Sequence, residues 1–147
     1  MSVIPVAIDA LLAQLQAAPA LRGIKVYDGD ESVTPGRGMF LIIGLDAEDQ
    51  YPADGTSAIG GLAGARRRDV ATITCLAVAA QGGQVMKRVR DEADRLYDLA
   101  RAAIEADPRL GGAVTFAEVA SYTYRPMRSD QGVAAQLEFR VQVTAIR

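Results

Sequence analysis

Carboxylate side chains that could bind a metal ion are concentrated in one stretch, residues 46–68. Four of its acids lie close together in the sequence: Asp46, Glu48, Asp49 and Asp54. Carboxylate oxygens are the ligands that hard cations prefer, but the spacing of these four fixes no coordination geometry. A second acidic segment begins at Asp28 like a calcium loop, but it has Val33 in place of the required glycine and Met39 in place of the required glutamate. We therefore expect no metal site.

Three consecutive arginines, Arg66, Arg67 and Arg68, form the sharpest charge cluster of the sequence. Three arginines are few for a monomer that binds duplex DNA. Copied around a ring, however, they would form a dense positive surface that tolerates passing DNA. Arg125 and Arg128 lie near a predicted hairpin turn, where they would add to this surface or pair with a neighbour. Around such a ring, the acids Asp46, Glu48, Asp49 and Asp54 of one copy would pair with the arginines of the next, which makes both groups candidate subunit-interface residues. The alternative for the arginine cluster is a solvated loop end.

Nucleophilic and acid–base catalysis lack their usual residues in this chain. The sequence has no histidine, which excludes His-based acid–base catalysis, His-containing triads and His-ligated metal sites. The single cysteine, Cys75, lies in the middle of a predicted strand and is expected to be a buried apolar residue. The glycine-rich segments 35–38 and 60–64 lack the lysine and the Ser/Thr of a phosphate-binding loop. We expect neither enzymatic activity nor a cofactor.

Length and composition indicate one domain over residues 1–147. Apolar residues make up 50% and charged residues 23% of the chain, which is ordinary for a protein with a buried core. The net charge of −2 gives none of the basic excess of a free DNA-binding domain. No run approaches the roughly 20 apolar residues of a membrane span, and the N-terminus lacks the basic region of a signal peptide. We therefore expect a protein that is assembled in the cytoplasm without a membrane partner.

Hydrophobic periodicity predicts two helices and five strands. The predicted helices cover residues 5–18 and about 84–106. The predicted strands cover residues 23–27, 39–45, 69–79, 114–124 and 133–146. Residues 46–68 show no clear period, so we expect a long mobile loop there.

These elements predict an α+β fold, a mixed, largely antiparallel sheet with two flanking helices, in the order α-β-β-long loop-β-α-β-β. The strand at 39–45 is apolar on both faces, which places it inside the sheet. In the second helix, a buried stripe is expected from Val85, Val89, Ala93, Leu96, Ala100, Ala103 and Ile104. The last strand alternates, so that Gln136, Glu138, Arg140, Gln142 and Thr144 point outward and these residues point inward: Val133, Ala135, Leu137, Phe139, Val141, Val143 and Ala145.

Weak sequence patterns along nearly the whole chain are similar to those of one protein family. They are Pro19-Ala20-Leu21 after the first helix, Val26-Tyr27-Asp28, the arginine-led strand from Arg68 to Val78, the helix carrying Val89, Ala93 and Leu99, the segment Asp107 to Gly112, and the closing strand Ala135 to Val143. In these features the chain resembles the tail terminator, or tail-completion, proteins of long-tailed phages and of phage-tail-like particles.

The resemblance implies an α+β subunit that assembles as a six-membered ring. Such rings sit on the head-proximal end of the tail tube, end its polymerisation and present a surface to the head connector. The implied partners are further copies of the chain, the tail tube protein and the head–tail connector, with DNA only passing through the lumen. The implied location is the virion tail. The family has no catalytic residues to carry over.

Two other functions remain open on the sequence alone. A neck or head-completion protein of the same particle would have a similar length and a similar order of helices and strands. A small-ligand-binding α+β domain would need a preformed apolar pocket with convergent polar groups.

Overall fold

A computed structural model describes residues 2–29, 38–44, 53–60, 66–83, 85–130 and 132–146. Its helices are α1 (Ile4–Ala17) and α2 (Met86–Ala106), with short 3-10 turns at Pro19–Leu21 and Leu110–Gly112. Its strands are β1 (Lys25–Asp28), β2 (Gly38–Ile43), β3 (Ala53–Gly60), β4 (Arg66–Gln81), β5 (Phe116–Ser129) and β6 (Gly132–Ile146). No helix in the described part of the chain is long and apolar enough to cross a membrane.

All six strands form one sheet, in the order β1-β2-β4-β6-β5. β3 also pairs with β4, on the same side as β2. Only the pair β1–β2 is parallel, and the other pairs are antiparallel. The predicted α+β class with a mixed, largely antiparallel sheet is therefore confirmed, and β2 lies inside the sheet as expected.

β4 is the long strand that defines the two ends of the sheet. At its beginning, the Arg66 end of the sheet, it pairs with β3 and with the last residues of β6. At its other end, the Gln81 end, it pairs with β2 and with the first residues of β6. Since β5 starts opposite Thr144 and finishes opposite Gly132, it runs in the same sense as β4. β3 runs in the opposite sense to both.

The main core lies between the two helices and one face of the sheet. We call this face of the sheet the helix-side face. All seven inward residues predicted in β6 are buried there, which confirms the alternation. Five of the residues predicted for the stripe of α2 are also buried: Val89, Ala93, Leu96, Ala100 and Ile104. Ala103 is half-buried, and Val85 is exposed because it precedes the helix. Tyr97 joins the stripe, with its ring centroid 5.5 Å from that of Phe139.

The opposite, outer face of the sheet is not uniformly solvated. Ile42, Leu76 and Val78 form a small buried apolar cluster on it. Glu138 points to this face as predicted, but it is buried. Arg140 donates to the Glu138 carboxylate (Nη2 to Oε2, 3.2 Å) and to the Ser121 hydroxyl (Nη1 to Oγ, 3.2 Å). This charged pair therefore connects β6 to β5.

The prediction of a long loop over residues 46–68 is wrong for two parts of this segment. Residues 53–60 form β3, which pairs with β4 from Ala53↔Ile73 to Gly60↔Arg66. Residues 66–68 are the first residues of β4. β3 is rich in Gly, Ala, Ser and Asp, which have little strand propensity of their own, so its extended conformation depends on pairing with β4. Residues 46–52 and 61–65 lie outside the described part of the chain.

Candidate functional site

The arginine cluster lies on a paired strand and not on a loop end. Because side chains alternate along a strand and Asp69 and Ala71 are buried on the helix side, Arg66 and Arg68 point to the outer face. Arg67 points to the helix side. All three are exposed. The structure therefore divides the predicted cluster between two faces at the Arg66 end of the sheet.

The other predicted arginines lie far along the sheet from this cluster. Arg125 is opposite Gln136 and Arg128 is opposite Val133, near the Gln81 end. Both are exposed. The structure therefore does not join them to the three arginines of β4 within one subunit.

One of the four predicted acids falls within the described residues. Asp54 is exposed on β3, opposite Thr72, which places it on the outer face. Asp46, Glu48 and Asp49 lie outside the described part of the chain. Among the residues that are described, no group of three or more His, Cys, Asp or Glu side chains could hold a metal ion.

Cys75 is fully buried in β4, as predicted. Burial raises the pKa of its thiol to about 12, because the charged thiolate is poorly solvated in the core. Sγ donates to the carbonyl oxygen of Ile73 at 3.8 Å, and a hydrogen bond from the Gly44 backbone offsets part of the effect of burial on the pKa. The thiolate is the nucleophilic form, so Cys75 has no accessible chemistry at neutral pH.

A cleft of about 610 Å³ lies between α1 and the C-terminal half of α2, and alanines form most of its wall. The polar side chains in the wall are already engaged. Gln14 donates from Nε2 to the carbonyl oxygens of Ala103 (2.7 Å) and Asp107 (3.0 Å). The Asp107 carboxylate accepts the backbone N–H groups of Arg109 and Gly111. The cleft therefore lacks the convergent polar groups that orient a small ligand.

The most distinctive surface is the free edge formed by β5. Among the described strands β5 pairs only with β6, and residues 120–130 are all exposed. An unpaired edge presents backbone N–H and C=O groups to another chain. Tyr122 and Tyr124 are 63% and 38% exposed on this strand, beside α2, where the Tyr122 ring centroid is 5.3 Å from that of Tyr97.

A β-bulge decides where these tyrosines point. The pairing of β5 with β6 shifts by one residue between Val119 and Ser121, which reverses the alternation beyond that point. Tyr122 is consequently opposite Phe139, and Tyr124 is opposite Leu137, on the helix side. Both tyrosines fall in the strand predicted over residues 114–124, for which the sequence indicated no function, and the uncharged run Val119–Tyr124 was the signal that was missed.

The geometry defines a class of fold: a six-stranded mixed sheet with two helices on one face and a long free edge. No protein-family model matches the chain, and no curated protein matches it. Among solved structures, the chain is similar to a chain of the virion of a native gene transfer agent particle, with 21% sequence identity and a TM-score of 0.50. The alignment covers 97% of this chain and 98% of that chain. The two chains share the fold over their whole length.

Proposed function

We propose that the chain is a structural protein of a phage-like particle that caps the head-proximal end of the tail tube. Six copies form a ring that ends polymerisation of the tube and presents a surface to the head–tail connector. The ring contacts further copies of the chain, the tail tube protein and the connector, and DNA passes through its lumen. The role needs no catalytic residue and no cofactor.

The observation that carries this proposal is the end-to-end likeness to a chain of a virion particle. The alignment covers 97% of this chain and 98% of that chain, so the likeness extends over the whole of the shared fold. Two features of the structure support the proposal. The free edge at β5 is available for head-to-tail contacts, which are the contacts that build rings. The one thiol, that of Cys75, is buried and offers no accessible nucleophile.

The mass of the protein in solution tests the proposal. Light scattering from low to high protein concentration is expected to give a mass that rises towards six times 15.6 kDa. Purified tail tubes that lack a terminator are then expected to stop growing and to carry the protein at one end, as seen by electron microscopy. Tubes that continue to grow in the presence of the protein would contradict the proposed function, whatever its mass in solution.

A neck protein of the same particle is the second candidate, because likeness to a chain from a whole virion fits that role equally. The two candidates differ in the partner that the ring binds. Binding to isolated head connectors without any effect on tube length would favour the neck protein.

Reversing the charges of Arg66 and Arg68 to glutamate is expected to weaken ring formation or tail completion about tenfold, because like charges placed at a contact oppose association. Both side chains point to the outer face. Arg67→Glu is the matched control, since this arginine lies on the same strand but points to the helix side. Yields of completed particles measure the effect. An effect of equal size for Arg67→Glu would show that position on the outer face is irrelevant.

A further inference from the structure

The sheet has two open edges whose strands run in opposite senses. β5 is the outermost strand on one side. On the other side, at the Arg66 end, β3 is the outermost of the described strands, since it pairs only with β4. β3 is antiparallel to β4, and β5 runs in the same sense as β4. A copy placed beside the first, with its helices on the same side of the sheet, therefore brings its β3 antiparallel to β5.

The β5 edge has an uncharged centre between opposite charges. Residues from Val119 to Tyr124 carry no charge, and they are rich in the β-branched and aromatic residues that favour strands. Glu118 precedes this run and Arg125 follows it, both exposed. Glu118 is opposite Gln142 and Arg125 is opposite Gln136, so both charged side chains lie on the outer face. Edges of soluble proteins are usually protected by charges, and this stretch has none.

The β3 edge has the complementary order of charge. Asp54 lies near its beginning on the outer face, and residues 55–60 are uncharged. Beyond them, at the Arg66 end, lie Arg66 and Arg68 on the same face. In an antiparallel arrangement the acid of β3 reaches the Arg125 end of β5. The arginines of β4 reach the Glu118 end.

We propose that β5 of one copy pairs antiparallel with β3 of a second copy, and that this contact closes the ring. The inference rests on the proposed function and identifies its subunit interface. The charge order selects the register in which Ser121–Arg125 lies beside the neighbour's Asp54–Ala58, with Arg125 opposite Asp54. Within one subunit Asp54 is level with Glu118, through Thr72 and Gln142. The neighbour is therefore displaced by about six residues along the strands, and the strands are tilted to the ring axis, as they are in a closed barrel. Oppositely charged residues directly across an antiparallel pair stabilise it.

The faces of the two strands agree in this register. Directly opposed residues of an antiparallel pair share a face, and Arg125 and Asp54 both lie on the outer face. On the helix side, Tyr124 is then opposite Gly55 and Tyr122 is opposite Ser57. Neither residue has a bulky side chain, and the apolar side chain of Ile4 lies over Gly55. Beyond Ser121 the bulge changes the alternation, so the matched register ends there.

The same contact covers the exposed tyrosines. In this arrangement the helices of both copies lie on the same side of the continuous sheet. In each copy α1 packs over β3, since a Cβ built on Gly55 would lie 3.5 Å from Cδ1 of Ile4. The neighbour's α1 therefore comes to the side of α2, above Tyr122 and Tyr124.

β1 is excluded as the pairing strand by its charges. It runs in the same sense as β3, because it is parallel to β2 and β2 is antiparallel to β4. Docked antiparallel on β5, its first residue, Lys25, would reach the Arg125 end. Its last residue, Asp28, would reach the Glu118 end. Both placements bring like charges together, which opposes association.

Charge reversal with a mixing step tests the pairing in the full-length protein. Arg125→Asp alone and Asp54→Arg alone each place like charges at every subunit contact, so each variant is expected to associate at least about tenfold more weakly than the wild type. An equimolar mixture of the two variants restores opposite charges at every contact of an alternating ring. Its association, measured by sedimentation velocity at low salt, is expected to return to the wild-type level. Arg95→Asp, on the exposed face of α2, is the control and should associate like the wild type.

The outcomes separate this pairing from the proposed function. If the wild type assembles and the mixture associates no better than either variant alone, the β5–β3 pairing is wrong while a ring formed through another surface stands. If the wild type is monomeric at every concentration, the pairing is overturned, and the tail-tube assay still decides whether the chain caps tubes. Circular dichroism of both variants should match the wild type, which ensures that the loss of association is not a loss of folding.

Discussion

Replacing Phe139 with alanine is expected to lower the free energy of unfolding by about 3–5 kcal/mol, the usual range for truncating a buried phenylalanine. Phe139 is the largest fully buried side chain in the described part of the chain. It lies on β6, in the middle of the sheet, and its ring packs edge-on against Tyr97 of α2, at an interplanar angle of 69°. Truncation removes this contact and leaves a cavity between α2 and the sheet.

Urea unfolding followed by circular dichroism measures this effect, and the melting temperature is expected to fall by about 10 °C. Phe116→Ala is the matched control, because Phe116 is 47% exposed at the start of β5. This control should lose less than about 1 kcal/mol, as surface substitutions do. Equal losses for the two variants would mean that the ring of Phe139 is not held in a close-packed core.

The sequence predicts the parts of the fold whose side chains repeat with a clear period. β6 alternates over its whole length, and each of its predicted inward residues is buried. The buried residues of α2 recur with the helical period. Its solvent-facing side carries three ion pairs at i,i+4 spacing: Lys87–Asp91, Arg88–Glu92 and Arg101–Glu105. In both elements one face contacts the core and the other contacts water. Apolar residues therefore recur in the sequence with the period of the element, and this period predicts which residues are buried.

β3 could not be predicted in the same way. Its residues Ala53–Gly60 have no apolar alternation, because most of its described side chains are exposed on both faces. The strand exists because its backbone groups pair with β4, an interaction between segments and not a property of the segment alone. The same reason explains the arginines. Arg66–Arg68 are polar and look like the end of a loop, and only their pairing partners make them strand residues.

The candidate interface depends on a second feature that local patterns do not reveal. Whether Tyr122 faces the helices or the outer side is decided by the bulge after Val119. One extra residue there changes the face of every later side chain of β5. The residue types around Val119 do not predict this bulge. The sequence identified Arg125 and Asp54 as candidate contact residues, but their common face and the opposite senses of their strands are properties of the sheet.

Replacing Gly132 with alanine is expected to lower the free energy of unfolding by about 3 kcal/mol or more, because two independent effects add. The backbone of Gly132 has φ +138°, which L-residues with a side chain rarely adopt. A Cβ at this position would also lie 2.0 Å from the carbonyl oxygen of Gln81 and 2.9 Å from Cα of Gly82. Since both contacts are backbone atoms, no rotamer change can relieve them, and the start of β6 must move away from the end of β4.

Gly83→Ala is the control for this prediction. Gly83 lies in the turn after β4, next to Gly82, but a Cβ there meets no atom within 4 Å, and its φ is not positive. It is expected to leave the melting temperature within a few degrees of the wild type, while Gly132→Ala lowers it by about 8 °C or more. Gly132 opens β6 at the Gln81 end, where the β5–β6 hairpin turns back. Its substitution should therefore disturb the free edge next to Arg125 as well, and the variant should assemble poorly even below its melting temperature. A Gly132→Ala protein as stable as Gly83→Ala would contradict the close approach of β4 and β6 on which this end of the edge depends.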